Sequence, residues 1–219
     1  MIWHIREKLG LRINHKRITR VYRSENLQLG QRPKVKRKEV GRRHLFVAPT
    51  RPNQLWAMDF VSDSFSNGKR FRVHAIKDLF THECLSLHVD RSITGEDLAK
   101  ILDLLIVIRG ARPEAIICDN GTEYTSKAMS VWEHATGVIL RHIEPGKPIQ
   151  NAFIESFNGK LRRECLDQSW FEDLKHARQI IESWRLEYNS DRPTKPLGNK
   201  TPDQFAKEWR LELRIQNQN

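Results

Sequence analysis

The sequence predicts an α/β domain with a mixed sheet. Three alternating apolar segments follow one another after residue 55, and helical and strand-like segments then alternate. Sequential strands joined by short turns pair in an antiparallel manner, whereas strands separated by helices pair in parallel. The order strand–strand–strand–helix–strand–helix–strand–helix–helix therefore indicates five strands flanked by helices.

The strands are predicted from alternation and from turn signals. LWAMDFVSD reads as a buried strand ending near Asp63, and a turn at Ser66-Asn67-Gly68 leads into KRFRVHAIKDLF. The remaining predicted strands are ECLSLHVDR, AIICDNG, which stops at Asp119, and VILRHIEP. Sites in such sheets lie at strand ends and at nearby helix starts.

The helices are predicted from their caps and from apolar periodicity. Thr94 is a cap and Gly110 a stop for TGEDLAKILDLLIVIRG, and Thr201-Pro202 starts PDQFAKEWRLEL. SKAMSVWEHATG and WFEDLKHARQIIESWRLEYNS read as two further helices. A helix after Pro148 has an apolar side, which comprises Phe153, Ile154, Phe157 and Leu161. Its polar stripe comprises Asn151, Glu155, Asn158 and Arg162.

The excess positive charge is confined to the N-terminal part of the chain. Residues 1–43 hold 14 of the 38 Lys and Arg residues and 3 of the 27 Asp and Glu residues, so this arm carries the whole net charge of +11. Such asymmetry favours a polyanionic partner, most simply nucleic acid. A basic helix with Asn14 as its cap is compatible with a helix-turn-helix, although short basic helices are common.

Membrane spans and metal-binding cysteine motifs are not predicted. The chain has no run of 18 apolar residues and no recognisable signal peptide. Its three cysteines are far apart, which fits a reduced, cytosolic compartment. His4 and His15 have no cysteine pair after them, so we expect no zinc site.

Three carboxylates occur against otherwise apolar segments. Asp59 lies in the first strand, Asp119 ends the fourth, and Glu155 begins a helix. An ionised group against a core is costly unless it is compensated, either by an arginine or by a shared cation. Carboxylate oxygens suit Mg²⁺ or Mn²⁺, and two such ions can serve phosphodiester chemistry. We weigh Glu123 as a further neighbour of this site.

The spacing and the flanking segments resemble a known family. Asp119 and Glu155 are separated by 35 residues, and with Asp59 they resemble the D, D(35)E signature of DDE transposases and retroviral integrases. RGARPEAIICDNGTEYTS, PGKPIQNAFIESFNGKLRREC and YNSDRPTKPLGNKTPDQF closely resemble the second-reading-frame product of IS3-family insertion-sequence transposases. The resemblance covers residues 10–208.

The resemblance implies an RNase H-like core and a domain order. The expected regions are a partial helix-turn-helix-like DNA-binding segment over 1–29, a basic linker over 30–55, the integrase catalytic core over 56–190, and a C-terminal loop and helix over 191–219. It also implies metal-dependent 3′-end cleavage and strand transfer of an insertion sequence. Asp59, Asp119 and Glu155 are then the catalytic residues and the ligands of two Mg²⁺ or Mn²⁺ ions.

The implied partners are DNA, as terminal inverted repeats and target, and further copies of the chain on paired ends. An upstream-frame protein is a further expected partner, no membrane is involved, and the expected location is the bacterial cytoplasm, on the nucleoid. Arg162 lies about 10.5 Å along the helix from Glu155, which suits a neighbouring phosphate. The expected DNA-binding residues are Arg162, Asn151, Asn158, Lys160, Lys16, Arg17 and Arg20.

Two departures from the family pattern keep alternatives open. Thr194 stands where the family usually has histidine, and Met1 falls inside what resembles the helix-turn-helix region, so the first helices are expected to be absent. The first alternative is a truncated, inactive DNA-binding remnant or a regulator of transposition. The second is an RNase H-like nuclease that only hydrolyses.

Overall fold

The computed structural model describes residues 13–27, 48–144 and 152–216. The chain divides into two compact units, Met1–Phe46 and Val47–Asn219. The three carboxylates singled out in the sequence, Asp59, Asp119 and Glu155, all lie in the second unit.

In the first unit the structure describes one helix, α1 (His15–Ser24). The side chain of Asn14 caps it by accepting a hydrogen bond from the backbone N–H of Lys16 at 2.9 Å, as predicted. Ile18 is buried, and three basic side chains are exposed: Lys16, Arg17 and Arg20. The preceding helix that the sequence predicts lies outside the described residues.

The second unit is built on a five-stranded mixed sheet, as predicted. Its strands are β1 (Leu55–Ser64), β2 (Arg70–Asp78), β3 (Cys84–Asp90), β4 (Ala115–Cys118) and β5 (Ile139–His142). The strand order is β3–β2–β1–β4–β5. β1, β2 and β3 pair in an antiparallel meander, and β4 and β5 pair in parallel with their neighbours.

Five α-helices accompany the sheet in the described part of this unit. They are α2 (Gly95–Arg109), α3 (Lys127–Thr136), α4 (Ala152–Glu164), α5 (Leu174–Asp191) and α6 (Pro202–Gln216). Two 3₁₀ turns also occur, at Leu166–Gln168 and Lys195–Leu197. Within the described residues, none of the helices combines the length and apolar character that a membrane crossing requires.

The sheet separates two apolar cores, because alternate side chains of a strand point to opposite faces. Ala57 and Val61 of β1 face one core, which includes side chains of α4 and α5. Trp56 and Met58 face the other core, which includes side chains of α2 and α3. The second unit is therefore a three-layer α/β structure.

The predicted apolar side of α4 is partly wrong. Phe153 is 41% exposed, so it does not hold the helix on the core. The other three predicted residues, Ile154, Phe157 and Leu161, are buried, and Asn158 joins them on a face with the i, i+3, i+4, i+7 spacing of one helical side. Trp170, predicted as part of the apolar side of the next helix, is 76% exposed and precedes α5.

Thr94 and Asp97 form a capping box at the start of α2. The backbone N–H of Asp97 donates to Thr94 Oγ1, and that of Thr94 donates to Asp97 Oδ2. We expect Thr94→Ala to lower the free energy of unfolding by about 1 kcal/mol. Thr94→Ser, which keeps the hydroxyl, should retain most of it in the same chemical denaturation measurement. Equal stability of the two variants would contradict this role.

Candidate active site

Asp59 lies in the middle of β1, opposite Ala75 of β2. One carboxylate oxygen, Oδ1, accepts a hydrogen bond from the backbone N–H of Phe60 at 2.8 Å. The other, Oδ2, accepts from the side-chain amide of Asn158 on α4, also at 2.8 Å. The strand and the helix therefore fix this carboxylate together.

Asp119 follows β4 directly. Because β1 and β4 run parallel, with Ala57 paired to Ile117, Asp119 lies beside the part of β1 that carries Asp59. Asp119 Oδ1 accepts a hydrogen bond from the backbone N–H of Gly121 at 2.8 Å. The turn after the strand thus orients the second carboxylate.

Gly121 is required for space. A Cβ atom at this position would lie 2.9 Å from Asp119 Oδ1 and 3.3 Å from Glu123 Oε2. Gly121 is not among the residues with positive φ, so conformational freedom does not explain this glycine. The close approach of the Asp119 carboxylate is the reason that the structure supports.

We expect Gly121→Ala to displace the Asp119 carboxylate and to lower strand cleavage by about a hundredfold, because small misplacements of reacting groups are costly. Gly159→Ala on α4 is the matched control, since its added Cβ would meet only the flexible end of Arg163. Cleavage assays on both folded variants check this. Similar activity of the two would contradict the role given to Gly121.

Glu155 lies in the first turn of α4 and is exposed. Ile154 and Phe157, its neighbours on the helix, are buried in the core that also receives β1. Because Asn158 on the same helix bonds to Asp59, the start of α4 is held over the strand that carries Asp59. The third predicted carboxylate therefore approaches the other two from the helix layer.

The three carboxylates act on one another electrostatically. Burial raises the pKa of Asp59 to about 6, and the negative charges of Asp119 and Glu155 contribute to that rise. The structure describes no ion pair between any of the three and a Lys or Arg side chain of the described residues. The sequence left open that an arginine compensates one of these carboxylates, and no such pairing is seen among the described residues.

The carboxylates are close enough to interact but are not gathered as ligands. Within residues 13–27, 48–144 and 152–216, no three His, Cys, Asp or Glu side chains form a group that could hold a metal ion. The charges of Asp119 and Glu155 thus act on Asp59, but the three carboxylates do not lie close enough together to coordinate one ion in this structure.

Asn158 is placed differently from its predicted position on an exposed polar stripe. Only 9% of its surface is exposed, and its amide nitrogen faces Asp59. Its Oδ1 atom is buried and has no hydrogen-bond partner among the described residues. A buried, unsatisfied amide oxygen beside a carboxylate is unusual and suits a site that receives a further donor or cation.

The other predicted DNA-binding residues are dispersed. Arg162 donates from Nη2 to the backbone carbonyl of Ser62 at 2.6 Å, and its Nη1 lies 3.8 Å from Asp167 Oδ1. Lys160 is half-buried, and burial lowers its pKa. Asn151 lies outside the described residues.

Glu123 and Arg72 form a pair that sequence reasoning missed. Arg72 of β2 donates to Glu123, and this hydrogen bond lowers the pKa of that carboxyl. The Arg72 guanidinium also lies 3.8 Å from the centre of the Phe60 ring. Glu123 is therefore engaged by a cation and is not a fourth free carboxylate. The alternation of β2 gave no signal for this contact.

The integrase core domain family matches the chain over residues 49–148 and again over residues 136–202. The "insertion element IS407 uncharacterized 31.7 kDa protein" of Burkholderia multivorans is 44% identical over 93% of this chain and 73% of its own length. The corresponding insertion element IS476 protein of Xanthomonas euvesicatoria is 42% identical over 91% of this chain. The chain spans 57% of that second relative.

A more distant relative is the putative transposase InsK of insertion sequence IS150 in Escherichia coli, which is 24% identical over 90% of this chain and 72% of its own length. Two solved structures share the fold at 22% identity over 71% of this chain. One is the simian T-cell lymphotropic virus intasome with PP2A regulatory subunit B56 gamma, with a TM-score of 0.61 and 54% of that chain covered. The other is the HTLV-2 integrase catalytic core domain with magnesium in its trimeric form, with a TM-score of 0.52 and 97% covered.

These likenesses confirm the RNase H-like fold and the family. The predicted IS3 subfamily is compatible with the relatives. By its integrase core domain and its identity to insertion-element proteins, the chain belongs to the insertion-sequence transposases of the DDE transposase and retroviral integrase superfamily.

Proposed function

We propose that the chain is a DNA transposase that cleaves the 3′ ends of an insertion sequence and joins them to target DNA by metal-dependent transesterification. One observation supports this most strongly. Asp59 lies in β1, Asp119 follows β4, and Glu155 lies in α4. The negative charges of Asp119 and Glu155 contribute to the raised pKa of Asp59, and none of the three carboxylates forms an ion pair with a described Lys or Arg. Such a constellation opposes its own ionisation unless a cation is added.

The donor set fits two Mg²⁺ or Mn²⁺ ions, which prefer carboxylate oxygens and keep positions for water and phosphate. The unsatisfied Oδ1 atom of Asn158, beside Asp59, fits the same proposal, because it would be available to accept a hydrogen bond from water on a bound ion. The HTLV-2 integrase core with this fold was solved with magnesium. When bound, the ions would activate the attacking oxygen and stabilise the leaving oxygen.

The residues of this chain would hold and orient the reactants. Asp59 and Asp119 would bind the ions from the sheet, and Glu155 would complete the site from α4. Asn158 keeps the Asp59 carboxylate in place through its amide hydrogen bond. A water or a DNA 3′-hydroxyl would attack the phosphodiester in line, so no covalent bond between protein and DNA forms.

DNA would be bound along α4 and by the first unit. Arg162 is half-buried near the end of β1 and would approach a phosphate next to the reacting one. Lys16, Arg17 and Arg20 are exposed on α1, where they would neutralise backbone phosphates. Several copies would assemble on paired DNA ends, as the shared fold with an intasome component suggests. The bacterial relatives favour the bacterial cytoplasm as the place of action.

The test is a strand-transfer assay with the purified chain, labelled ends of its insertion sequence, target duplex and Mg²⁺ or Mn²⁺. We expect joined products that disappear in Asp119→Asn and Glu155→Gln, with DNA binding retained in both variants. Lys100→Met, an exposed change on α2, is the control and should leave joining unchanged.

The outcomes of this assay separate the proposal from its alternatives. Hydrolysis of the ends without joining would identify a nuclease. Metal-independent DNA binding without cleavage, also in a preparation extended by the upstream helices, would identify a binding remnant or a regulator. Either result would contradict the proposed transposase activity.

A further inference from the structure

A group of basic side chains lies on the α4 side of the sheet. Lys77 is near the end of β2, and only 4% of its surface is exposed. Its Nζ atom lies 3.2 Å from Nδ1 of His82 and 5.7 Å from the centre of the Phe157 ring. Lys160 and Arg192 are near enough for their charges to act on Lys77. We call Lys77, His82, Lys160 and Arg192 the cationic cluster.

The cationic cluster has more hydrogen-bond donors than acceptors. An ammonium group offers three donors, and the structure describes one hydrogen-bonding contact of Lys77, with His82. If Lys77 donates to Nδ1 of His82, the remaining ring nitrogen of His82 carries the proton and is a further donor. For Lys160 the structure describes no hydrogen bond to another described residue.

The carboxylates that act on the cationic cluster are already engaged. Asp78 accepts hydrogen bonds from the backbone N–H groups of Asn53, Phe80 and Thr81. Glu164 accepts from both terminal nitrogens of Arg192. The donors of Lys77 and Lys160 therefore lack a described anion, although a buried amine without one is costly.

The electrostatics agree with this shortage of anions. Burial lowers the pKa of Lys77 to about 7, and the charges of Lys160 and Arg192 lower it as well. Burial, with the charges of Lys77 and Lys160, also lowers the pKa of His82 to about 4. An anion placed among these groups would favour the charged form of each of them.

The backbone at His82 is a second, independent observation. His82 has a φ of +60°, in the turn between β2 and β3. This left-handed conformation is unfavourable for residues other than glycine and persists where the surrounding structure demands it. Here the imidazole ring lies against Lys77. Strain of this kind often positions a side chain for binding.

The cationic cluster adjoins the carboxylates. Lys77 pairs with Ala57 across β1 and β2, while Asp59 pairs with Ala75. Lys77 and Asp59 are therefore diagonal neighbours on one face of the sheet, about 7–8 Å apart in strand position.

We propose that the cationic cluster binds a backbone phosphate of the DNA strand, close to the phosphate that reacts at Asp59, Asp119 and Glu155. The phosphate oxygens supply the acceptors that Lys77, His82 and Lys160 lack. The assignment of the phosphate to DNA rests on the proposed function. The binding of a phosphate group by itself does not.

The test compares Lys77→Met with the wild-type chain and with the matched control Lys100→Met on the opposite face of the sheet. Binding of a labelled duplex is measured over a range of NaCl concentrations at pH 6.5 with EDTA, so that no chemistry occurs. The logarithm of the DNA association constant falls linearly with the logarithm of the salt concentration. We expect this dependence to be about one unit less steep in Lys77→Met and unchanged in the control.

A second arm uses inorganic phosphate as the probe. Calorimetry at the same pH should show binding to the wild-type chain that is weakened at least about tenfold in Lys77→Met, as expected for the loss of one charged partner. Lys160→Gln, a change at a half-buried position, provides a second variant in which the fold is preserved if Lys77→Met fails to fold.

Each outcome decides a separate claim. Unchanged salt slopes together with unchanged phosphate binding in both cluster variants would overturn the proposed site. Weakened phosphate binding with an unchanged DNA slope would overturn the assignment to DNA and leave a site for free anions. A reduced DNA slope in a chain that never cleaves would support this site while contradicting the proposed transposase activity.

Discussion

Asp59→Asn is expected to abolish strand cleavage and, in the same protein, to stabilise the fold above pH 6. The carboxylate is held against a core and near the charges of Asp119 and Glu155, which raises its pKa from an ordinary value of 3.8 to about 6. Under the proposed function Asp59→Asn also removes a carboxylate that would hold the divalent ions, and we expect cleavage to fall on the order of a thousandfold or more.

The direction of the stability change follows from the raised pKa. In the unfolded chain Asp59 loses its proton near pH 3.8, but in the folded chain it does so near pH 6. The wild-type chain therefore loses stability relative to Asp59→Asn as the pH rises from about 4 to about 6. Above pH 6 the loss is complete and amounts to about 3 kcal/mol, since each pKa unit corresponds to about 1.4 kcal/mol.

Denaturation at pH 4 and pH 8, together with the cleavage assay, checks both effects. Asp63→Asn is the matched control, since Asp63 lies in the same strand and its carboxylate accepts a hydrogen bond from Ser64. We expect the control to retain cleavage. If Asp59→Asn cleaves DNA normally, or if it is less stable than the wild type at pH 8, the account of the carboxylates is wrong.

Arg109→Met is expected to give the largest loss of stability. Glu83 is 5% exposed, and Arg109 donates to both of its carboxylate oxygens, at 3.1 and 3.0 Å. Arg210 lies farther away, with Nη2 at 3.5 Å from Glu83 Oε1. Losing Arg109 leaves a buried carboxylate without its main partner, which costs about 3–5 kcal/mol of the free energy of unfolding.

Two further variants show whether the loss of stability in Arg109→Met comes from the burial of the Glu83 carboxylate or merely from the loss of an ion pair. Arg178→Met breaks an exposed pair with Asp90 at 2.7 Å and should cost at most about 1 kcal/mol. Combining Arg109→Met with Glu83→Leu should recover much of the stability, because the buried charge is then absent. Urea denaturation of the variants measures each value. A small effect of Arg109→Met alone would show that Glu83 is compensated by another group.

Local sequence signals predicted the elements of the fold. Thr94 caps α2, and Gly110 and Gly137 end their helices in the left-handed conformation, because glycine adopts it without strain. The alternation of β1 and β2 predicted strands, and their short turn predicted antiparallel pairing. Asp119 and Glu155 lie near enough for their charges to raise the pKa of Asp59, and the catalytic triad that the 35-residue spacing suggested stays a prediction.

Contacts that join polar groups across elements were not predictable from hydrophobic periodicity. Asn158 lies on the buried face of α4 because Asp59 offers it an acceptor, and a polar residue on that face shifted the predicted apolar side toward Phe153. Lys77 is buried although its residue type favours solvent. Such positions depend on partners that are distant in sequence.

Calorimetric titration of the chain with Mn²⁺ at pH 8 tests most directly whether Asp59, Asp119 and Glu155 jointly bind a divalent cation. We expect Mn²⁺ to bind the wild-type chain and the control Asp63→Asn equally well. Binding should be lost in Asp59→Asn and Asp119→Asn and strongly weakened in Glu155→Gln. Equal Mn²⁺ affinity in all of these proteins, or no binding to the wild type even with DNA ends present, would contradict this expectation.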